Sequence, residues 1–586
     1  MSKTKNGPTS VAKSGSAKES SADTTNASGA NSSCPSQISE ICKRRHWSMY
    51  WLIIFVSIAS ISGHVATLKN ERINADSPFF SANDRSRWCT IRSLVDHGTY
   101  EIDQVLEAPS DIPWYTIDRV VHPDANGNFH SYSSKPPLMP TMIAGKYWLL
   151  KKMGLSISED TMLVVRVIVF VTNVVPFVLF LMLLAAMLER IVVHDWTRYF
   201  ILCAAGFGTF LTTFSVTLNN HLPAAFCVMV VLYCLDRMYR TGPVCHDGCP
   251  ANWLHYFAAG LFAAFAAANE FPALSLFACA GLLCLIKSPS KTMLGFVPGA
   301  LIVAAAFFGT NYLAHATWKP AYANRGEGEL IKTVKGDFVD QLSGPDENRL
   351  DDGTVPPEIL EPIQQWLANS GGEEITAPYA EQSFWRRNRD AKLGRWNVRD
   401  QVSNSQFTIE ETTANTFAIH EFANWYDYSG SYWSSGKKSP VDQGEPSQLL
   451  YAFHMLLGHH GICSLTPIWL FSLAGLVALP FVARFQLRWL GLMGLVLTVV
   501  VFTFYLMRPD IDRNYGGVTS GLRWMFWLIP IWLVAMVPVV DSLSKKPWGK
   551  FLCLGLLLLS IVSAMYSIQN PWVHPWLYEL FIQATQ

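Results

Sequence analysis

The chain has 586 residues, half of them hydrophobic and only 15% charged, with 45 basic and 45 acidic side chains that cancel to a formal net charge of zero. That composition is too apolar for a soluble protein of this length. Zero net charge also excludes the global basic field that nucleic-acid binding needs, so no nucleic-acid partner is expected.

Residues 1–46 open with a stretch rich in Ser, Thr, Ala, Asn, Gly and Lys. Such a stretch has too little apolar surface to offset the entropy of ordering, and it reads as a disordered cytosolic tail. The first apolar run, from Trp47 to Ala66, follows Lys43-Arg44-Arg45. It is about 20 residues long, enough for a retained first span rather than a cleaved signal. Further apolar stretches run over 161–188, 197–216, 221–237, 253–269, 272–287, 292–315, 464–484, 488–507, 522–541 and 549–568. Together they predict an all-α multi-pass membrane protein of about eleven transmembrane helices.

Lys and Arg concentrate in alternate connections, at Arg190, Arg198, Arg237, Lys287, Arg488 and Lys545 among others. The positive-inside rule then puts the N-terminus in the cytosol and the two long segments, 67–160 and 316–463, outside. The expected organisation is an N-terminal transmembrane module over 47–315, a mixed extracytoplasmic insert over 316–463 and a C-terminal transmembrane module over 464–586. The insert is polar, Gly-rich and dotted with aromatic residues, too long for a plain connector.

Twelve cysteines are scattered, and those inside apolar runs, such as Cys203, Cys227 and Cys284, behave as small hydrophobes. Cys245 and Cys249 flank His246 and Asp247, but this lacks the second half of a spaced zinc site. A polar turn is the simpler reading there.

In the first outer segment, Trp88, Ile91, Leu94 and Val95 recur at helical spacing in Ser81-Ala-Asn-Asp-Arg-Ser-Arg-Trp. This predicts an amphipathic helix on the outer surface, capped by Asn83 and closed by Gly98. Asp84 falls in its first turn, where a carboxylate is a common cap. Arg87, three residues on, shares its face and can pair with it. Farther along, Pro136 holds Lys135 extended in Ser134-Lys135-Pro136-Pro137. A lysine at the membrane rim suits a lipid phosphate, or anchors to headgroups in general.

His221 in Asn219-Asn220-His221 and Glu270 in Asn269-Glu270-Phe271 sit at outer ends of neighbouring spans. Ionisable groups there are expensive unless paired or wet, which makes both site candidates, with capping of the adjacent span as the alternative. His459 and His460 could join them around a metal, but the spacing matches no ligand pattern, so metal stays unassigned. The last signal is Arg513-Asn-Tyr-Gly516-Gly517-Val-Thr-Ser-Gly-Leu-Arg523. Paired glycines let backbone approach a ligand, and arginines at the lipid boundary grip phosphate or snorkel.

The order of first span, D-x-x-R helix, K-P-P loop, outer His and late G-G-x-x-S-G-x-R resembles the GT-C superfamily of integral membrane glycosyltransferases. Within it, the bacterial branch related to protein O-mannosyltransferases and lipid A aminoarabinose transferases is most similar. The resemblance implies a catalytic acidic residue at Asp84 with Arg87 following it, and Lys135 on the lipid-linked phosphate. Arg513, Arg523, Gly516 and Gly517 complete the expected donor-phosphate site. Arg85 stands where many relatives carry a second acidic residue, which removes one carboxylate from any metal-bridged version; a divalent metal ion stays open as a cofactor. The expected function is transfer of a sugar from a polyprenyl-phosphate donor to a lipid, glycan or protein hydroxyl at the outer face of the plasma (inner) membrane. Ligation of a whole glycan from a diphosphate carrier, or transport of a lipid-linked sugar, are the competing readings. The insert has no counterpart in the resemblance, so acceptor choice is expected there.

Overall fold

A computed structural model describes residues 35–70, 77–110, 112–124, 128–239, 252–342, 351–353, 355–370, 385–389, 394–400, 405–428, 430–433, 438–481 and 485–585. Cys245, Cys249 and most of the expected tail lie outside the described residues. The chain divides into a short unit, Met1–Ser48, and a main unit, Met49–Gln586.

Helix α1 spans Pro35–Ala66. Every apolar stretch read from the sequence is helical, but among the described residues six helices are long and apolar enough to cross a membrane, against the eleven expected. A seventh candidate is the pair Arg523–Ala535 and Val537–Leu543, bent by 44°. The shortfall comes from breaks inside apolar stretches rather than from missing helices. Pro538 sits at the bend, where it has no N–H to give and its ring crowds the preceding turn. Stretch 197–216 divides into Asp195–Phe207 and Phe210–Phe214, while Phe271–Lys287 and Trp469–Phe481 are shorter than a full span.

Proline also reshapes two spans without ending them. The π-helical turn Phe170–Val174 precedes Pro176, and Thr292–Phe296 precedes Pro298. A missing N–H lets the ladder slip by one residue. The first of these turns serves the site. It presents Asn173, whose amide donates to the carbonyls of Ser215 (3.1 Å) and Thr217 (2.6 Å) and so fixes the turn that carries Thr217. Close packing supports this frame: a Cβ on Gly260 would lie 2.0 Å from the Phe296 carbonyl oxygen, so helix Trp253–Asn269 meets its neighbour backbone to backbone.

The first long loop holds helix α2 (Ala82–Asp96) and an antiparallel hairpin of β1 (Arg119–Pro123) and β2 (Phe129–Ser133), with Arg119 opposite Ser133. The insert is mixed. Strands β3 (Leu330–Lys335), β4 (Asp351–Gly353), β5 (Trp385–Arg389), β6 (Arg395–Asp400), β7 (Gln406–Thr413) and β8 (Thr416–Glu421) form one sheet in the order β3-β8-β7-β6-β5-β4. Trp396 opposes Ile409, and Ile409 opposes Ile419, so one face is apolar at period two. Helix Pro357–Ser370 covers that face with Ile359 and Ile363, both fully buried. Each such side chain contributes about 1.5–3 kcal/mol by leaving water.

Candidate active site

Helix α2 begins two residues earlier than expected, because Ser81 rather than Asn83 caps it. The Ser81 hydroxyl accepts from the Asp84 N–H, and the Asp84 carboxylate accepts from the Ser81 N–H, a reciprocal capping box. Asn83 instead receives the Arg87 guanidinium. The helix is not a surface one either; nine of its residues are buried. Its end is as read: the N–H groups of His97 and Gly98 both reach the Ser93 carbonyl, with Gly98 at φ +77°.

Asp84 is 1% exposed, and its two oxygens accept five hydrogen bonds. Oδ1 takes the Ser81 N–H (2.8 Å), the Ser81 hydroxyl (3.0 Å) and the Arg85 N–H (2.8 Å); Oδ2 takes the Phe80 N–H (3.0 Å) and the Thr217 hydroxyl (3.1 Å). A carboxylate offers about four lone-pair positions, so none is left for a substrate hydroxyl in this arrangement. Burial pushes the Asp84 carboxyl above its usual range, against the pull of the Phe80 and Ser81 hydrogen bonds.

Arg87 does not bond Asp84, because its fork is taken elsewhere. Nη1 donates to Asn83 and Nη2 to the Asn220 side-chain oxygen at 2.8 Å. The Asn220 amide passes the link on to Glu270 (2.7 Å), and Glu270 pairs with His221 Nδ1. His221 Nε2 then lies 3.2 Å from Arg523 Nη1. Arginine only donates, so Nε2 must accept and Nδ1 must carry the proton toward Glu270. A continuous polar chain thus runs from Arg87 through Asn220, Glu270 and His221 to Arg523. The two site candidates at the span ends, His221 and Glu270, are each other's partner.

Arg523 is fixed from three sides: by His221, by the Gly516 carbonyl (2.9 Å from Nε) and by the Trp572 ring (5.0 Å). Gly516 and Gly517 have φ +97° and +76°, a region side chains disfavour. Gly516 does not present its N–H to a ligand, since Asn514 Oδ1 takes it at 3.0 Å; its role is to seat Arg523. Arg513, expected beside Arg523, is turned into its own loop. Its nitrogens go to the carbonyls of Arg508 (2.9 Å) and Pro446 (2.9 Å) and to Asp510 (2.6 Å).

Lys135 pairs with Asp118 at 3.0 Å. Burial lowers the lysine, Asp118 raises it, and the charges of Arg87 and Arg523 lower it further. Arg87 is likewise pushed down to about 10 by burial and by Arg523, against Asp118, Glu270 and Asp84. These mutual effects put Arg87, Lys135 and Arg523 in one hollow with Asp118 and Glu270.

Asp118, Thr217 and Trp572 are not singled out by the sequence. Trp572 donates to the Thr217 hydroxyl at 3.4 Å while covering Arg523, and so joins the C-terminal segment to the Asp84 shell. Only Asp118 had a readable signal. It precedes β1, and the register that sets Arg119 against Ser133 brings it level with the residues leading to Lys135.

The insert closes over this loop. Tyr426 is buried with Val120 and Tyr132, Trp433 Nε1 donates to the Ile117 carbonyl at 2.9 Å, and the Val121 N–H donates to the Trp425 carbonyl at 2.9 Å. A cleft of about 380 Å³, lined by Arg325, Tyr426, Trp433, Lys438 and Asp512, opens there. His459 and His460 stand apart from His221, in an aromatic cluster with His454, Tyr515 and Tyr578. Among the described residues no group of His, Cys, Asp and Glu is arranged to hold a metal.

The fold is similar to those of solved membrane glycosyltransferases. The S. cerevisiae protein O-mannosyltransferase Pmt1-Pmt2 complex bound to the sugar donor aligns at TM-score 0.43 and 11% identity, over 92% of each chain. The Archaeoglobus fulgidus oligosaccharyltransferase in the apo form aligns at 0.38 and 11%, over 90% of this chain and 56% of that one. The archaeal AglB, from the same organism, in complex with an inhibitory peptide and a dolichol-phosphate, aligns at 0.38 and 11%, over 91% and 57%. The present chain therefore spans little more than half the length of the archaeal enzyme. These neighbours are GT-C superfamily members. No family model and no curated protein matches the chain.

Proposed function

We propose that the protein transfers a sugar from a polyprenyl-phosphate donor to an acceptor hydroxyl at the outer face of the plasma (inner) membrane, with inversion and with its N-terminus in the cytosol. The observation that carries this reading is the meeting of Lys135, Arg87 and Arg523 in one hollow at the helix ends that lead into the long loops. A lipid monophosphate leaves with gained negative charge, so its departure needs fixed cations more than a strong acid. Lys135 supplies a point charge, and Arg523, held from three sides, supplies a pre-oriented one. Glu270 and His221 set the position of Arg523, and Asn220 sets that of Arg87. Asp84, with every lone pair occupied, holds the start of α2, from which Arg87 projects.

Location also bears on the competing readings. The charged groups gather at the ends of helices, His221 opening one and Glu270 following another, rather than at mid-span where transporters place their sites. The test is purified protein in detergent, offered polyprenyl-phosphate mannose, glucose and arabinose, with and without chelator, scoring free polyprenyl phosphate. Release from one of these donors is expected, and the chelator arm reads metal dependence. Release only from diphosphate-linked glycans would reassign the protein as a ligase, and release from neither would leave a transporter.

A further inference from the structure

The transfer needs a carboxylate with an open lone pair facing the acceptor, and Asp84 has none. Asp118 does. Among the described residues its carboxylate meets only Lys135, through Oδ2, and its side chain keeps 12% exposure, so Oδ1 is free and reachable. Its backbone is held firmly: the carbonyl accepts from the Ser86 hydroxyl (2.5 Å) and the Ser134 N–H (3.2 Å), and its N–H reaches the Thr116 hydroxyl (3.1 Å). Ser86 also bonds the Ser133 hydroxyl at 2.6 Å, which locks α2, the approach to β1 and the end of β2 into one piece. A reactive group on such a scaffold stays in place during chemistry.

The surroundings say which partner Asp118 faces. On one side is Lys135, the expected phosphate cation. On the other is the insert: Trp433 bonds the carbonyl of Ile117, the preceding residue, and the buried Tyr426 phenol is raised by burial and then by the charge of Asp118, which sets that ring beside the carboxylate. Tyr426 and Trp433 are also two walls of the 380 Å³ cleft. The carboxylate therefore lies between the cation and the cleft.

Resting on the glycosyltransferase reading, we propose that Asp118 is the catalytic base of the transfer, receiving the hydroxyl proton of an acceptor that enters along Tyr426 and Trp433. The acceptor oxygen forms a bond to the anomeric carbon as the bond from that carbon to the phosphate oxygen breaks. Polyprenyl phosphate departs with the electron pair beside Lys135 and Arg523, and the acceptor proton ends on Asp118 Oδ1.

The experiment uses the full chain in detergent, with water as acceptor and a polyprenyl-phosphate hexose as donor, and measures binding of undecaprenyl phosphate separately. Asp118→Ala is expected to slow release of polyprenyl phosphate by roughly 100-fold or more, the usual worth of a general base. Its affinity for undecaprenyl phosphate should be unchanged or higher, since Lys135 loses its competing anion. Added formate should restore release in Asp118→Ala and not in Asp84→Ala. Asp118→Asn, nearly the same shape, should melt like the wild type and still be slow, which separates a catalytic loss from misfolding. The proposal is overturned by normal release in Asp118→Asn, by joint loss of release and phosphate binding in Asp118→Ala, or by formate rescue at position 84 alone. If the wild type releases nothing from any donor, the glycosyltransferase reading itself fails and this role with it.

Discussion

Replacing Gly516 with alanine tests whether Arg523 is seated by that glycine. At φ +97° an alanine costs about 1–2 kcal/mol in backbone strain. Its Cβ would also lie 2.7 Å from Arg523 Nε, too close for contact, so the guanidinium has to leave the Gly516 carbonyl it now holds at 2.9 Å. A hydrogen bond to a charged group is worth about 1.5–3 kcal/mol, and losing that alignment toward a phosphate corresponds to roughly a 10- to 150-fold rise in donor KM. Gly517→Ala is the matched control. It carries similar strain at φ +76°, but its Cβ would be 3.6 Å from Asp442 Oδ1, an ordinary contact. Donor titration with release of polyprenyl phosphate as the readout should therefore show a raised KM for Gly516→Ala alone, while both variants melt at lower temperature. Equal KM values for the two variants would refute the assignment of Gly516 to Arg523.

Two further outcomes follow from charge. Lys135 titrates below a free lysine because of burial, with Arg87 and Arg523 outweighing part of the help from Asp118. Between its lowered folded value and 10.5 the unfolded chain binds more protons, so this group makes folding more favourable as pH rises while its ammonium is being lost. Donor kcat/KM should accordingly fall on alkalinisation before pH 10.5, and Lys135→Arg should carry the fall to higher pH; an unmoved profile would detach Lys135 from donor capture. In the insert, buried Arg395 pairs with Asp427 and Glu327. Arg395→Met leaves those carboxylates unpaired, at a cost of about 3–5 kcal/mol for a buried pair. Limited proteolysis should then cut the insert faster, with the membrane helices intact.

Periodicity and charge bias carry well from sequence to structure here, because they depend on residues close in the chain. Trp88, Ile91 and Leu94 announce α2, and each apolar stretch is a helix. Helix breaks were harder to see: Pro538 gives the bend in the last bent pair, but how much of each apolar stretch remains straight depends on packing. The site was legible in part. His221, Glu270, Lys135 and Arg523 are polar groups that only a shared hollow makes affordable near apolar helices, and the structure brings them together. Arg513 and Arg523 look alike in the sequence, yet a ten-residue turn sends one into its own loop and the other to His221. Asp84 shows the opposite difficulty, since a capping carboxylate and a reacting one have the same local signature and only the count of incoming donors tells them apart. Asp118 acquires meaning through hairpin register and a distant tryptophan, neither of which is local.

The backbone link from Val121 to Trp425 makes the insert an extension of the hairpin that leads to Lys135. Cutting away the sheet to leave a minimal membrane core would strip the hairpin's outer edge and orphan the carbonyl of Ile117. A ligand or antibody fragment gripping the sheet would, by the same route, be mechanically connected to the reaction centre, so the soluble-facing module offers a handle on chemistry otherwise sealed between helices.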